Sequence, residues 1–187
     1  MDALLTAFVA AFLAAWGDKA QRVAAMLAAV TGRPATVAAG LVLAALAGNG
    51  VAAFAGAWIA ETITIRAMTL LTAMALLFAG ASGLIQRRQP GPQAPKRLLL
   101  PSAFILLLAA ELGDRTQFLT FALAGRFDSA PLAAAGATLG MVAGCMPAVL
   151  LGDRLMTAVP VRGIRYGVAA LFLVAGFITA VNALQLT

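Results

Sequence analysis

The sequence predicts an all-α integral membrane protein with six transmembrane helices arranged as two inverted three-helix repeats. Three observations carry that prediction. The chain of 187 residues is 63% hydrophobic and 11% charged, with a mean hydropathy of +0.97, whereas soluble domains carry about a quarter charged residues. Six apolar stretches are each long enough to cross a bilayer. The first half of the chain also matches the second without a gap at a spacing of 96 residues.

A span needs about 20 mostly apolar residues, and the six stretches lie at roughly 3 to 30, 35 to 60, 67 to 86, 98 to 125, 130 to 152 and 166 to 186. Each is expected to be a helix, because backbone groups in lipid must find partners within their own segment. The first stretch has the length and small residues of a secretory signal but carries Asp2 where a signal needs a basic residue, so it reads as a retained span. Turn chemistry marks the breaks: "TGRP" at 31 to 34, the region from Glu61 to Arg66, "RFDSAP" at 126 to 131 and "VPVRG" at 159 to 163. The longest hydrophilic piece, "QRRQPGPQAPKR" at 86 to 97, separates the halves. The division is therefore a first three-helix repeat over 1–86, a cytoplasmic linker over 87–97 and a second three-helix repeat over 98–187.

The 96-residue shift superimposes Phe8 on Phe104, Gly17-Asp18 on Gly113-Asp114 and Gln21 on Gln117. It continues through Ala38-Ala39-Gly40 on Ala134-Ala135-Gly136, Ala47-Gly48 on Ala143-Gly144, Arg66 on Arg162 and Ala79-Gly80 on Ala175-Gly176. Three spans per copy is an odd number, so the second copy enters the membrane in the opposite sense, a transporter architecture.

The net charge of +6 is spread through short loops, where orientation bias explains it, and nucleic acid is not an expected partner. Arg33, Arg87, Arg88, Lys96, Arg97, Arg154, Arg162 and Arg165 fall on one side, against Arg66 and Arg126 on the other. Both termini are thus expected to be non-cytoplasmic. With one cysteine, Cys145, and no histidine, disulfides, thiol redox pairs, thiolate clusters and imidazole ligands are excluded. No nucleophile has a base beside it and no loop is built to cradle phosphate, so an enzyme is not expected.

Stretches one and four are unusual. Read as continuous helices they are roughly 40 Å long, with Asp18, Lys19 and Arg22 near the middle of one and Glu111, Asp114 and Arg115 near the middle of the other. Six such residues cost roughly 15 to 20 kcal/mol before pairing. On an ideal helix Glu111, Asp114 and Gln117 share a face at steps of about 60°, and the matching face of the first copy offers Asp18 and Gln21, with Ala15 in place of Glu111. If the helices cross at the pseudo-twofold axis, Asp18, Glu111 and Asp114 converge beside two glutamine amides. Oxygen ligands without sulfur or imidazole favour Ca²⁺, Mn²⁺ or Mg²⁺. Carboxyl groups removed from water also hold protons more tightly, so protons compete for the same oxygens.

The candidate metal-binding residues are therefore Asp18, Glu111 and Asp114, with Gln21, Gln117, Thr116 and Asn49 as candidate neutral ligands or their supports. A role for Thr116 requires a local helix break, and Asn49 also reads as an interhelical hydrogen-bonding residue. Lys19, Arg22 and Arg115 balance the charge. The alternative for the acids is structural: Glu111 with Arg115 and Asp18 with Arg22 are four apart and would neutralise each other along one helix.

"ELGDRTQ" at 111 to 117, repeated as "AWGDKAQ" at 15 to 21, resembles the Glu-x-Gly-Asp-Lys/Arg-Thr/Ser signature of Golgi, thylakoid and bacterial manganese/calcium transporters. This is the second cation/proton antiporter family, with the yeast Gdt-type protein as namesake. The resemblance covers the whole chain and implies exchange of Mn²⁺ or Ca²⁺ against H⁺. For a bacterial member it implies manganese export across the inner membrane, with no permanently bound cofactor. It places Glu111, Asp114 and Asp18 in the cation pathway. The first copy departs from the signature at Ala15 and Ala20, which stand where the glutamate and the hydroxyl residue belong. Beside a divalent-cation exporter embedded in the lipid bilayer, an exporter of small organic solutes such as amino acids and a non-transporting membrane scaffold stay open, as does a homo-oligomer.

Overall fold

The computed structural model describes residues 1–85, 100–151 and 160–184. The expected linker over 87–97 and the basic residue Arg154 lie outside the described residues. Those residues form eight helices: α1 (Asp2–Ala15), α2 (Lys19–Thr31), α3 (Pro34–Ala60), α4 (Ile65–Leu84), α5 (Leu100–Glu111), α6 (Arg115–Arg126), α7 (Ala130–Leu151) and α8 (Val161–Leu184). Four of them, α3, α4, α7 and α8, are long and apolar enough to cross a membrane, and α1 with α2 makes a fifth if the bent pair is one span. The protein is an all-α membrane protein.

The expectation of continuous helices over 3–30 and 98–125 is corrected. Each stretch breaks at its centre, α1 from α2 at residues 16–18 and α5 from α6 at 112–114, and α1 and α2 meet at 62°. The cause is local: Gly17 and Gly113 adopt φ values of 70° and 71°, left-handed geometry that ends a helix and that only glycine enters without strain. Asp18 and Asp114 then restart the chain as N-caps of α2 and α6 at nearly the same φ/ψ, −81°/169° and −82°/158°. Three helix starts recur in the second half 96 residues on, at 19 and 115, 34 and 130, and 65 and 161.

Packing rests on alanine and glycine, which let helix backbones approach closely where lipid offers no hydrophobic drive to bring them together. The α1–α2 pair runs along α7, the α5–α6 pair along α3, and α4 lies against α8. The core has two ends: one joins α2 and α5 to parts of α3 and α7, the other joins α1 and α6 to α4 and α8. The first half-helix of one broken pair therefore sits beside the second half-helix of the other. Contacts between α4 and α8 are reciprocal, Gly80 facing Leu173 and Ala169 and Gly176 facing Leu77 and Ala73. Outward faces carry large exposed apolar side chains, including Val51, Phe54, Trp58, Met74, Phe177 and Ile178, a surface suited to lipid and too apolar for water.

Gly140 lies directly on the Phe8 carbonyl of α1, while a methyl group at Gly50 of α3 would meet nothing within 4 Å. Gly140→Ala is expected to destabilise the protein by about 1–3 kcal/mol. Gly50→Ala is expected to be neutral or stabilising by up to about 1 kcal/mol. Thermal unfolding of the two variants in detergent checks the pair.

Candidate cation site at the two helix breaks

Breaking a helix inside a membrane frees backbone groups that must be satisfied from within the protein. The glutamines of the two motifs do this on the donor side. Gln21 Oε1 accepts from the Gly17 amide at 2.9 Å, and Gln117 Oε1 accepts from the Gly113 amide at 3.3 Å. Gln21 Nε2 also donates to the Gly144 carbonyl of α7 at 2.9 Å. Gln117 Nε2 lies over Gly48 of α3, where an added Cβ would stand 2.5 Å from it, and has no partner. Gly48 and Gly144 are the floor of the two breaks. The glutamines, candidate neutral ligands or supports, thus each take up the amide of the glycine at their own break.

On the acceptor side the halves differ. Arg115, at the start of α6 and 4% exposed, reaches across to α1, donating through Nη2 to the carbonyls of Ala14 and, at 3.3 Å, Trp16. The same nitrogen lies 3.5 Å from Asp18 Oδ1. The ion pair thus joins the two halves of the chain, in place of the i,i+4 pairs of Glu111 with Arg115 and Asp18 with Arg22. Lys19 and Arg22 border the same space.

Neither Asp18 nor Asp114 spends its carboxylate on capping the helix it begins. The two lie within hydrogen-bonding reach of each other, and Thr116 Oγ1 stands 3.5 Å from Asp114 Oδ2. Glu111 is 2% exposed with both carboxyl oxygens unbonded, and Oε2 would stand 3.3 Å from a Cβ on Gly48. In the first half a Cβ on the corresponding Gly144 would stand against the Ala15 methyl and Phe12. Asn49, also on α3, accepts from Thr120 of α6 at 3.2 Å and keeps Nδ2 unbonded.

Asp18, Lys19, Arg22, Asp114 and Arg115 line one cleft of about 400 Å³, joined by Ser82 of α4, Ile85 just after it and Arg165 of α8. Glu111 and Gln117 are not in its wall. Among the described residues no three carboxylate or thiol groups are placed to hold a metal ion together, so the convergence of Asp18, Glu111 and Asp114 into one cage does not occur in this conformation. Sequence reasoning missed Thr120, which has no counterpart in the repeat, and Arg165, which read as an orientation charge. Gly48 and Gly144 were visible as a repeated pair without an evident purpose.

Paired helices broken at a charged centre, with an aspartate restarting each, are the architecture of membrane transporters that bind ions at interrupted helices. A family model described as "Divalent cation/proton antiporter GDT1" matches residues 3–90 and 99–187, and the chain belongs to that family. It is 30% identical over 182 residues, 96% of this chain and 91% of the relative, to a protein of Vibrio cholerae serotype O1 (strain ATCC 39541 / Classical Ogawa 395 / O395) named "Putative manganese exporter". No solved structure gives a significant match.

Two substitutions separate the roles of the acids in metal-free protein. Asp18→Asn removes the partner of a buried guanidinium and is expected to cost about 3 kcal/mol. Glu111→Gln removes a buried carboxyl that has no partner and is expected to stabilise by about 1–3 kcal/mol. Unfolding midpoints in detergent with a chelator present read both signs.

Proposed function

We propose that the protein is a secondary transporter that exports a divalent cation, Mn²⁺ ahead of Ca²⁺, from the bacterial cytoplasm in exchange for protons. The observation that carries this reading is the pair of aspartates, one from each half, placed at matching helix breaks on a shared cleft. Family membership and the matched exporter support it. The 96-residue offset between the two matched stretches, which begin at 3 and 99, supports two inverted three-span repeats, with α1–α2 and α5–α6 as broken first spans. The distribution of basic residues supports non-cytoplasmic termini in the inner membrane.

In this reading Asp18 and Asp114 are ligands and proton carriers. Glu111 joins them when movement of one half against the other turns it toward the cleft. The carbonyl oxygens of Ala14 and Trp16, held by Arg115 in this structure, add neutral donors of the kind hard cations accept once that guanidinium moves. Gln21, Gln117 and Asn49 support the breaks. Proton coupling follows from competition, since a carboxyl out of water binds either H⁺ or the metal. Arg115 occupies Asp18 in the absence of cargo, and the arriving cation displaces it.

Asp114→Asn is expected to abolish metal-dependent proton flux in vesicles while leaving the unfolding midpoint within about 1 kcal/mol of wild type. Retained exchange would sink the assignment, and flux of amino acids independent of Mn²⁺ would favour the organic-solute reading. Ala15→Glu places a carboxylate over Gly144 as Glu111 stands over Gly48, and is expected to tighten Mn²⁺ binding about tenfold, one charge-assisted contact. Titration of the intrinsic tryptophan fluorescence with Mn²⁺, aided by Trp16 at the break, measures it.

A further inference from the structure

The cleft carries more positive than negative charge, which a cation pathway does not need. Its wall holds four basic side chains, Lys19, Arg22, Arg115 and Arg165, against two acids, Asp18 and Asp114. One pair among these, Arg115 with Asp18, is formed. Arg165 is 7% exposed and leaves Nε and Nη2 without a hydrogen-bond partner, its guanidinium resting 5.2 Å from the Tyr166 ring centroid. Arg115 likewise leaves Nε unbonded. A buried guanidinium with free donors is costly unless a ligand takes them up. Both helices that start at the cleft, α2 and α6, also present their N-termini to it, where the helix dipole favours an anion.

We propose that the cleft contains a binding site for a phosphate group, centred on Arg165 and completed by Arg22 and Lys19. A guanidinium binds phosphate oxygens through paired N–H donors, and the flanking ammonium and guanidinium groups neutralise the remaining charge. Arg165 comes from the first turns of α8, and Ser82 and Ile85, which line the same cleft, from the last turn of α4 and the residue that caps it. The site therefore lies between the C-terminal end of α4, the N-terminal end of α8 and the two helix breaks. A phosphate there comes from one of two sources: a free inorganic anion, or the headgroup of an anionic lipid. The site does not depend on the identity of the transported ion, because none of its three anion-binding residues is a proposed cation ligand.

The test uses the full-length protein with chelator present, so that no divalent cation contributes. One arm follows the unfolding midpoint in zwitterionic detergent as inorganic phosphate replaces chloride at fixed ionic strength. The other compares phosphatidylcholine nanodiscs with and without phosphatidylglycerol. Wild type is expected to be stabilised in at least one arm, with Arg165→Gln weakening the apparent affinity about tenfold or more, Arg165→Lys retaining part of it, and Arg126→Gln, at the far end of the bundle, changing nothing. Stabilisation by dissolved phosphate identifies a free anion. Stabilisation confined to phosphatidylglycerol identifies a headgroup. No specific stabilisation of wild type in either arm overturns the proposal, as does an Arg165→Gln response equal to wild type. If that variant does not fold, the wild-type arms and Arg165→Lys decide, with unchanged affinity in the lysine variant counting against it.

Discussion

A helix interrupted inside a bilayer must find partners within the protein for every backbone group the interruption releases, and the centre of this molecule is organised around that requirement. Gly17 and Gly113 create the interruptions, and Gln21 and Gln117 take up the glycine amides. The freed carbonyls of α1 are taken up by Arg115, which comes from the other half of the chain. Once that guanidinium is seated, Asp18 has its counter-charge and the two halves are tied at one point. Asp114, Glu111 and the cleft take their positions from this arrangement.

The small residues elsewhere serve the same end. Gly48 and Gly144 give the glutamines and Glu111 or Ala15 room against α3 and α7, so the polar centre is reached without a wide cavity. Around it most of the buried apolar side chains are alanine, with Leu27, Leu41, Leu107 and Leu119 the largest fully buried apolar side chains. Gln21, Glu111, Arg115 and Thr116 put buried polarity at the level of the breaks, and the outward faces remain free to meet lipid.

Much of this was legible from composition and from the repeat. Apolar lengths gave the helices, and the 96-residue offset paired Gly17-Asp18 with Gly113-Asp114 before any coordinates. The break itself was only one of two readings of Gly17 and Gly113, which close helix packing would equally explain. Periodicity treats a motif on an ideal helix, so Glu111 and Asp114 were expected on one face, whereas a single positive φ places them on opposite sides of a turn. The ion pair was hidden for the same reason: local spacing offers Arg115 the nearby Glu111, and only the crossing of the halves offers it Asp18 and two carbonyls. Thr120 and Arg165 fell outside the repeat, so nothing in the pattern marked them, and their roles rest on contacts between helices distant in sequence.

Four helix ends meet at the centre, the C-termini of α1 and α5 and the N-termini of α2 and α6, and each carries about half an elementary charge. In a symmetric molecule those partial charges would cancel in pairs. Here Arg115 covers the negative end of α1, while at the negative end of α5 both oxygens of Glu111 stand unbonded. The two breaks, nearly identical in backbone, are therefore unlike in their polar surroundings: one negative helix end is covered by a guanidinium from the other half of the chain, and the other is left beside an unpartnered carboxyl group.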